Sequence, residues 1–213
     1  MNKTKKLSII FIALELLIYI SYLAADMGLV SADSIRIKFV SICLCLVFSA
    51  LFTAFGGEKL ITAAMVFTLA ADSLLLVRNS DYALGVVFFC VVQAIYLYLL
   101  CRESGKKMLP LRGALFIVAL AALWKLGMMT WLNALAAVYF TGFVCNVIQS
   151  LGTENSLFKV GLVLFLCCDI CVGIFNLPQL AEARVYSFAA VGMWLFYLPA
   201  QVLIVLSGRR CEA

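Results

Sequence analysis

Eight apolar stretches, each close to the length that crosses a lipid bilayer, dominate this chain of 213 residues. Short joints rich in Gly, Asn and Ser separate them, and such residues interrupt helices. The predicted helices cover residues 7–23, 35–52, 59–77, 82–100, 111–126, 131–150, 157–175 and 185–206. Hydrophobic residues make up 66% of the chain and charged residues only 13%, which excludes an ordinary soluble domain. The sequence therefore predicts an all-α, polytopic membrane helix bundle that forms one integral membrane domain over residues 1–213.

Lysine and arginine are distributed unevenly over the predicted joints. If the N-terminus lies inside, most of them fall on the cytoplasmic side. Those on the opposite side are Arg36, Lys38, Arg78, Lys125 and Arg184. By the positive-inside rule, this asymmetry predicts a protein of the cell membrane with both termini in the cytoplasm. The membrane-flanking residues account for the formal net charge of +5, so no nucleic-acid partner is implied.

Two aspartates interrupt the predicted membrane helices. Asp72 follows two alanines in the stretch 65–77, and Asp169 follows two cysteines in the stretch 162–172. An ionised carboxylate in hydrocarbon costs about 2.5–3.5 kcal/mol on insertion scales, so such a group is paired, faces water or stays protonated. Both helices run outward in the predicted topology, and both aspartates lie roughly 8–9 Å inside the outer boundary at 1.5 Å of rise per residue. We predict that the two carboxyl groups share one buried site.

The two halves of the chain share a pattern. Each half contains four predicted helices, and in each half the third helix carries an aspartate after two small residues. This arrangement suggests a parallel 4+4 internal repeat about the membrane normal.

Further polar side chains on the predicted helices are placed to join the two aspartates. They are Lys38, Gln93, Tyr96, Tyr139, Tyr197 and Gln201. Taken singly, each amide or phenol has a structural interpretation, since helix-to-helix hydrogen bonds in membranes contribute about 0.6 kcal/mol on average. The aspartates likewise have a structural interpretation, in which they form ion pairs with Lys38 or Arg78. The number of helices that contribute polar groups favours a site for a polar ligand.

Cysteine and histidine content argues against a metal site. The chain has nine cysteines and no histidine. Cys168 and Cys171 flank Asp169, but two thiols without a second pair or an imidazole make a poor metal site. Neither a metal nor an organic cofactor is predicted.

Five motifs in chain order resemble the YhhN family of membrane lysoplasmalogenases. The segment LAADSLLL around Asp72 is similar to the acidic motif on the family's third helix. The other four segments are Gly85 to Tyr96, Val138 to Leu151, Gly161 to Asp169, and Tyr197 to Ile204. Three motif positions differ from the family pattern, because Ala71 replaces a glycine, Cys168 replaces a serine and Gln93 replaces a histidine. In addition, Lys38 is followed by phenylalanine where the family has proline.

The resemblance implies hydrolysis of the vinyl ether bond of a lysoplasmalogen, which gives a fatty aldehyde and a glycerophospho-base without a cofactor. One aspartate would act as a general acid, and the other would stabilise the resulting cation and activate water. Gln93, Tyr139 and Tyr197 would orient water or the glycerol hydroxyl, and Lys38 would meet the phosphate. Tyr96 and Gln201 belong to the same substrate-binding set.

Two other functions remain open at this point. Intramembrane acids also suit a proton-coupled transporter or a lipid flippase, although the spans lack most of the glycine and proline breaks of discontinuous transporter helices. The replacement at Gln93 favours a non-catalytic, lipid-binding relative.

Overall fold

Helices form all the regular structure in the part of the chain that the computed structural model describes, which is residues 3–105, 107–176 and 182–209. Eight α-helices follow one another within these ranges. They are α1 Lys3–Asp26, α2 Ser34–Ala54, α3 Lys59–Asp72, α4 Tyr82–Ser104, α5 Leu109–Lys125, α6 Trp131–Ser150, α7 Ser156–Asn176 and α8 Ala183–Ser207. The predicted helical bundle is confirmed, and the predicted bounds lie within a few residues of the observed ones.

Within the described residues, seven spans are long and apolar enough to cross a membrane, so the protein is an integral membrane protein of the lipid bilayer. Six of them lie in single α-helices, and the seventh, Lys59–Arg78, consists of α3 and the π-helical residues that follow it. The remaining helix, α5, has 17 residues and no buried side chain. At 1.5 Å per residue it is about 25 Å long, near the lower limit for a span. It packs against α6, and large apolar side chains such as Ile117 and Val118 remain exposed, as expected for a lipid-facing surface.

Polar residues in the joints begin several helices by binding their free backbone N–H groups. The Asp33 carboxylate accepts hydrogen bonds from the first turn of α2, and the Thr130 hydroxyl accepts one at the start of α6. Glu58 does the same for Leu60 in α3 and also pairs with Arg102 of α4. Burial alone would raise the pKa of Glu58, but the hydrogen bonds from Arg102 and the Leu60 amide outweigh it and hold the pKa below its ordinary value.

A π-helical segment, Ser73–Arg78, continues α3 immediately after Asp72. Its i→i+5 hydrogen bonds rotate the following side chains relative to an uninterrupted α-helix, and such segments are frequent at functional sites. Asn79 ends the segment in the left-handed conformation at φ 49°, which asparagine tolerates better than most residues. The hydropathy pattern of residues 65–77 contains no signal for this change of helix type.

Helices α7 and α8 form the most extensive helix pair in the bundle. Gly161 of α7 makes this packing possible, because a Cβ atom there would lie 2.8 Å from Ile204 Cγ1 and 3.2 Å from the Ala200 carbonyl oxygen. The bundle interior combines aliphatic side chains with several aromatic rings, and among these rings Phe143 and Phe165 are fully or almost fully buried. This packing brings α3, α6, α7 and α8 around a common interior.

Candidate functional site

Asp72 is the last residue of α3 and lies in the bundle interior with 6% of its surface exposed. The Tyr197 hydroxyl of α8 donates a hydrogen bond to Asp72 Oδ2 at 2.6 Å. Tyr197 is itself buried, and the two residues are 125 positions apart in the chain. The contact between the two helices therefore creates this pair.

Asp169 of α7 forms a second pair of the same type. The Tyr139 hydroxyl of α6 donates a hydrogen bond to Asp169 Oδ2 at 2.6 Å. Asp169 and Tyr139 are both half-buried, in contrast to the buried Asp72–Tyr197 pair. One aspartate is thus more accessible than the other.

An aromatic cluster connects the two Tyr–Asp pairs. The Phe165 ring lies one turn before Asp169 on α7, and its centroid is 5.5 Å from that of Tyr197 and 5.9 Å from that of Phe89. The Phe89 ring in turn lies 5.9 Å from the Tyr139 ring. Cys168, which precedes Asp169, is also buried in the bundle interior. The structure therefore brings all four predicted residues into one region of the bundle.

Neither aspartate has a cationic partner among the described residues. The ion pairs in these ranges join Arg36 to Asp33, Lys38 to Asp26, and Arg102 to Glu58. The alternative in which Lys38 or Arg78 neutralises the aspartates therefore has no support from the described contacts. A phenol hydroxyl stabilises a carboxylate by hydrogen bonding without transferring its proton, so each pair can hold an aspartate either protonated or ionised.

Lys38 is buried at the start of α2, away from direct contact with the two aspartates. Its ammonium group lies 2.8 Å from Asp26 Oδ2 and over the rings of Tyr22, at 5.2 Å, and Trp194, at 4.9 Å. The Trp194 ring also contacts the Tyr197 ring, with centroids 5.6 Å apart. Lys38 is thus separated from the Asp72–Tyr197 pair by one aromatic ring.

Gln93 of α4 lies beside Tyr139 and forms part of a polar network across α4, α5 and α6. The Asn146 Nδ2 group donates to Gln93 Oε1 at 2.9 Å and to the Gln93 carbonyl at 3.0 Å. Arg112 Nη2 donates to Asn146 Oδ1 at 2.7 Å. Gln93 is 5% exposed, and its Nε2 group makes no hydrogen bond within the described part of the chain.

Tyr96 and Gln201 are fully buried but do not contact the aspartates through hydrogen bonds. The Tyr96 ring packs edge-on against Phe158, and its hydroxyl has no hydrogen-bond partner among the residues that the structure describes. Gln201 lies one turn beyond Tyr197 on α8, and neither of its amide atoms forms a hydrogen bond with those residues. Buried polar atoms in native proteins are nearly always hydrogen-bonded, so these groups are candidates for contact with a polar ligand.

Two residues with polar roles were absent from the predicted site. Arg112 is one of the cations on the predicted cytoplasmic side, and only the packing of α5 on α6 brings its guanidinium against Gly142 and Asn146. Glu15 of α1, for which sequence analysis offered no role, is buried and accepts a hydrogen bond from Ser41 Oγ at 2.6 Å. Its position within an apolar helix is the signal that could have found it.

The fold and the site define the class of this protein: it is a polytopic helical membrane protein with two tyrosine-bonded aspartates in its interior. A family model, that of the YhhN family, matches residues 34–208, and the chain belongs to this family. The match includes every candidate site residue and excludes Glu15. No curated protein and no solved structure matches the chain.

Proposed function

We propose that this protein hydrolyses the vinyl ether bond of a lysoplasmalogen within the membrane. The observation that carries the proposal is the presence of two tyrosine-bonded aspartates, without cationic partners in the described residues, in a member of the YhhN family. The reaction needs an acid, an anion and water, and no cofactor. One carboxyl group in its protonated form and a second in its ionised form can supply the acid and the anion.

The reaction begins with transfer of a proton from a carboxylic acid to the β-carbon of the vinyl ether. The resulting oxocarbenium ion has its positive charge shared between the α-carbon and the ether oxygen, and a nearby carboxylate stabilises it. Water then adds to the α-carbon and gives its proton to a carboxylate, which forms a hemiacetal. As the hemiacetal collapses, its hydroxyl loses a proton, the bond to the glycerol oxygen breaks, and that oxygen takes up a proton, which releases a fatty aldehyde and a glycerophospho-base.

The two pairs differ in a way that suggests separate roles. Asp169 is half-buried, and its partner Tyr139 lines an open crevice of the bundle. We therefore assign proton donation to Asp169, which a lipid can approach more directly. Asp72 is held in a buried position by Tyr197, where it supplies the fixed negative charge that favours the cation.

The test is incubation of the purified protein in lipid vesicles with a lysoplasmalogen, followed by lipid extraction and mass spectrometry. Release of a fatty aldehyde together with an equal amount of glycerophospho-base is the expected result. Movement of intact lipid between leaflets without aldehyde would instead identify a transporter or flippase. Saturable binding without either outcome would identify a non-catalytic lipid-binding protein.

A further inference from the structure

A crevice of about 150 Å³ opens beside the Asp169–Tyr139 pair. Its polar lining comes from Gln93 of α4, Arg112 of α5, and Tyr139 and Asn146 of α6. Tyr139 forms one end of this lining. The α4–α6 crevice therefore connects the more accessible aspartate pair with an arginine that lies near the start of α5.

Arg112 carries a positive charge that no acidic side chain neutralises among the described residues. Its Nε group donates to the Lys107 carbonyl at 3.0 Å, its Nη1 group to the Gly142 carbonyl at 2.8 Å, and its Nη2 group to Asn146. A longer contact of 3.5 Å joins Nη2 to Gln149 Oε1. Carbonyl and amide oxygens stabilise a guanidinium without cancelling its charge, and one of the two Nη1 protons remains available for a further acceptor.

Hydrogen-bond direction along the network identifies a second donor on a residue that lines the same crevice. A guanidinium can only donate, so the oxygen of the Asn146 side chain faces Arg112 and its Nδ2 group faces Gln93. The Gln93 oxygen must then accept, which leaves Gln93 Nε2 as a buried donor without a partner. Thus the crevice is lined by a cation and by a residue whose N–H donor makes no described hydrogen bond, a combination that suits an anion.

We propose that the α4–α6 crevice is the phosphate subsite of the lipid substrate, with Arg112 and Gln93 as its ligands. The proposal rests on the proposed function, since it assumes that the lipid reacts at the Asp169–Tyr139 pair. Nothing in the sequence pattern had pointed to Arg112. It replaces Lys38 as the phosphate ligand, because the Lys38 ammonium is already neutralised by Asp26.

The separation along α6 fits the geometry of a glycerophospholipid. Tyr139 is three residues from Gly142 and seven from Asn146, which corresponds to roughly 5–10 Å along the helix axis. Five bonds separate the sn-1 ether oxygen from the phosphorus atom, and at the reach of an extended chain they span roughly 6 Å. A phosphate at Arg112 would therefore leave the vinyl ether near Tyr139 and Asp169.

The same crevice offers an exit for the hydrocarbon chain. Ala94 and Val138 line it and are exposed on the surface of membrane-crossing helices. The crevice is too small for a whole lysophospholipid, so it holds the head-group end while the alkenyl chain extends into the bilayer.

Binding of a non-hydrolysable lipid tests this subsite without requiring catalysis. The probe is a saturated 1-O-alkyl-glycerophosphocholine, and the matched probe is the 1-O-alkylglycerol of the same chain length, which lacks phosphate. Affinities are measured by thermophoresis on detergent-solubilised protein for the wild type, Arg112→Gln, Gln93→Met and Lys38→Gln. Arg78→Gln is the control, since Arg78 is exposed at the end of the π-helical segment and lies outside the crevice.

We expect Arg112→Gln to weaken binding of the phospholipid by about tenfold or more, because a charge-assisted hydrogen bond is lost, and to leave alkylglycerol binding within about twofold. Gln93→Met should give a smaller loss with the same selectivity, and it carries the test if Arg112→Gln does not fold. An equal loss of affinity for both lipids would mean that Arg112 only stabilises the packing of α5 on α6. Selective loss in Lys38→Gln but not in Arg112→Gln would also overturn the subsite.

Inorganic phosphate separates a lipid subsite from a general anion site. Competition by inorganic phosphate in the concentration range of the lipid would contradict the lipid assignment, whereas we expect none. If the wild type binds the alkyl phospholipid through Arg112 but releases no aldehyde from lysoplasmalogen, the proposed function fails and the subsite stands. If the wild type hydrolyses lysoplasmalogen and Arg112→Gln binds both probes normally, the proposed function stands and the phosphate subsite fails.

Discussion

At the scale of single residues, the proposed chemistry depends on two carboxyl groups that each accept one tyrosine hydrogen bond. We predict that Asp72→Asn and Asp169→Asn each abolish aldehyde release while the protein remains folded in the membrane. The amide keeps the shape of the side chain, but it can neither donate an acidic proton nor stabilise a cation. Activity is measured on purified variants, and retention of near wild-type turnover by either one would remove that residue from the mechanism.

Glu15→Gln is the matched control for these variants. It removes a third buried acid of the bundle, and the amide oxygen can still accept the hydrogen bond from Ser41. Since Glu15 has no described hydrogen bond to either Tyr–Asp pair, we expect turnover to stay within about threefold of the wild type.

The tyrosines allow a finer test of the same pairs. Tyr139→Phe and Tyr197→Phe keep the ring contacts with Phe89 and Phe165 but remove the hydrogen bond to the carboxylate. A hydrogen bond to a charged group contributes about 1.5–3 kcal/mol, so turnover should fall by roughly 10- to 100-fold in each variant. Steady-state kinetics on folded protein provide the measurement. No change in either variant would show that the phenols only fill space.

Gln93 occupies a position where the resemblance predicts histidine. Its contacts indicate that the replacement has only a small effect on turnover. A neutral imidazole could accept the hydrogen bond from Asn146 with one nitrogen and donate into the crevice with the other. Gln93→His should therefore change turnover by less than about tenfold, or roughly 1.4 kcal/mol. A much larger rise in kcat would identify the natural protein as a weakened catalyst whose aspartates need an additional titratable group.

At the scale of helices, the position of Tyr197 depends on the close approach of α7 and α8 at Gly161. Gly161→Ala places a Cβ atom against Ile204 and the Ala200 carbonyl, and overpacking of this kind costs about 1–3 kcal/mol. We expect a lower Tm in detergent and reduced activity. Gly173→Ala on the same helix is the control, because a Cβ atom there meets nothing within 4 Å and alanine favours the helix. Equal Tm values for the two variants would contradict the role assigned to Gly161.

The two Tyr–Asp pairs also bear on the suggested internal repeat. In a parallel 4+4 arrangement α3 corresponds to α7, and α8 corresponds to α4. Asp72 takes its hydrogen bond from α8, whereas Asp169 takes its own from α6, so these hydrogen bonds do not follow the repeat. The repeat remains a prediction from the matching positions of the aspartates.

At the scale of the whole molecule, the charged joints predict the orientation of the bundle in the membrane. The distribution of lysine and arginine predicts that both termini are cytoplasmic, although residues 1–2 and 210–213 lie outside the described residues. Epitope tags at the two ends should therefore be reached by antibody only after the cells are permeabilised. Staining of either tag in intact cells would reverse the orientation, and the phosphate subsite would then face the outer leaflet.

Local sequence determined the helices and the placement of acids within them. Lipid offers no hydrogen bonds to a polypeptide backbone, so an apolar run of about 20 residues forms a helix in which the backbone groups bond to one another. Short polar joints mark the ends of each helix. An aspartate in such a run is expensive wherever it lies, which singled out Asp72 and Asp169 before any contact was known. For the same reason, the sequence predicts that Tyr139 and Tyr197 are polar residues of the bundle interior.

Tertiary structure alone decided which of these groups meet. Side-chain partners on different helices depend on the rotation and packing of each helix, and residue spacing contains little information about either. The sequence therefore does not predict which aspartate accepts the Tyr197 hydrogen bond, or that Lys38 pairs with Asp26. It places Arg112 among the membrane-flanking cations, and only the packing of α5 against α6 gives it a partner in Gly142. The apolar pattern of residues 73–78 is likewise compatible with an ordinary α-helix, so the sequence alone does not predict the π-helical segment found there.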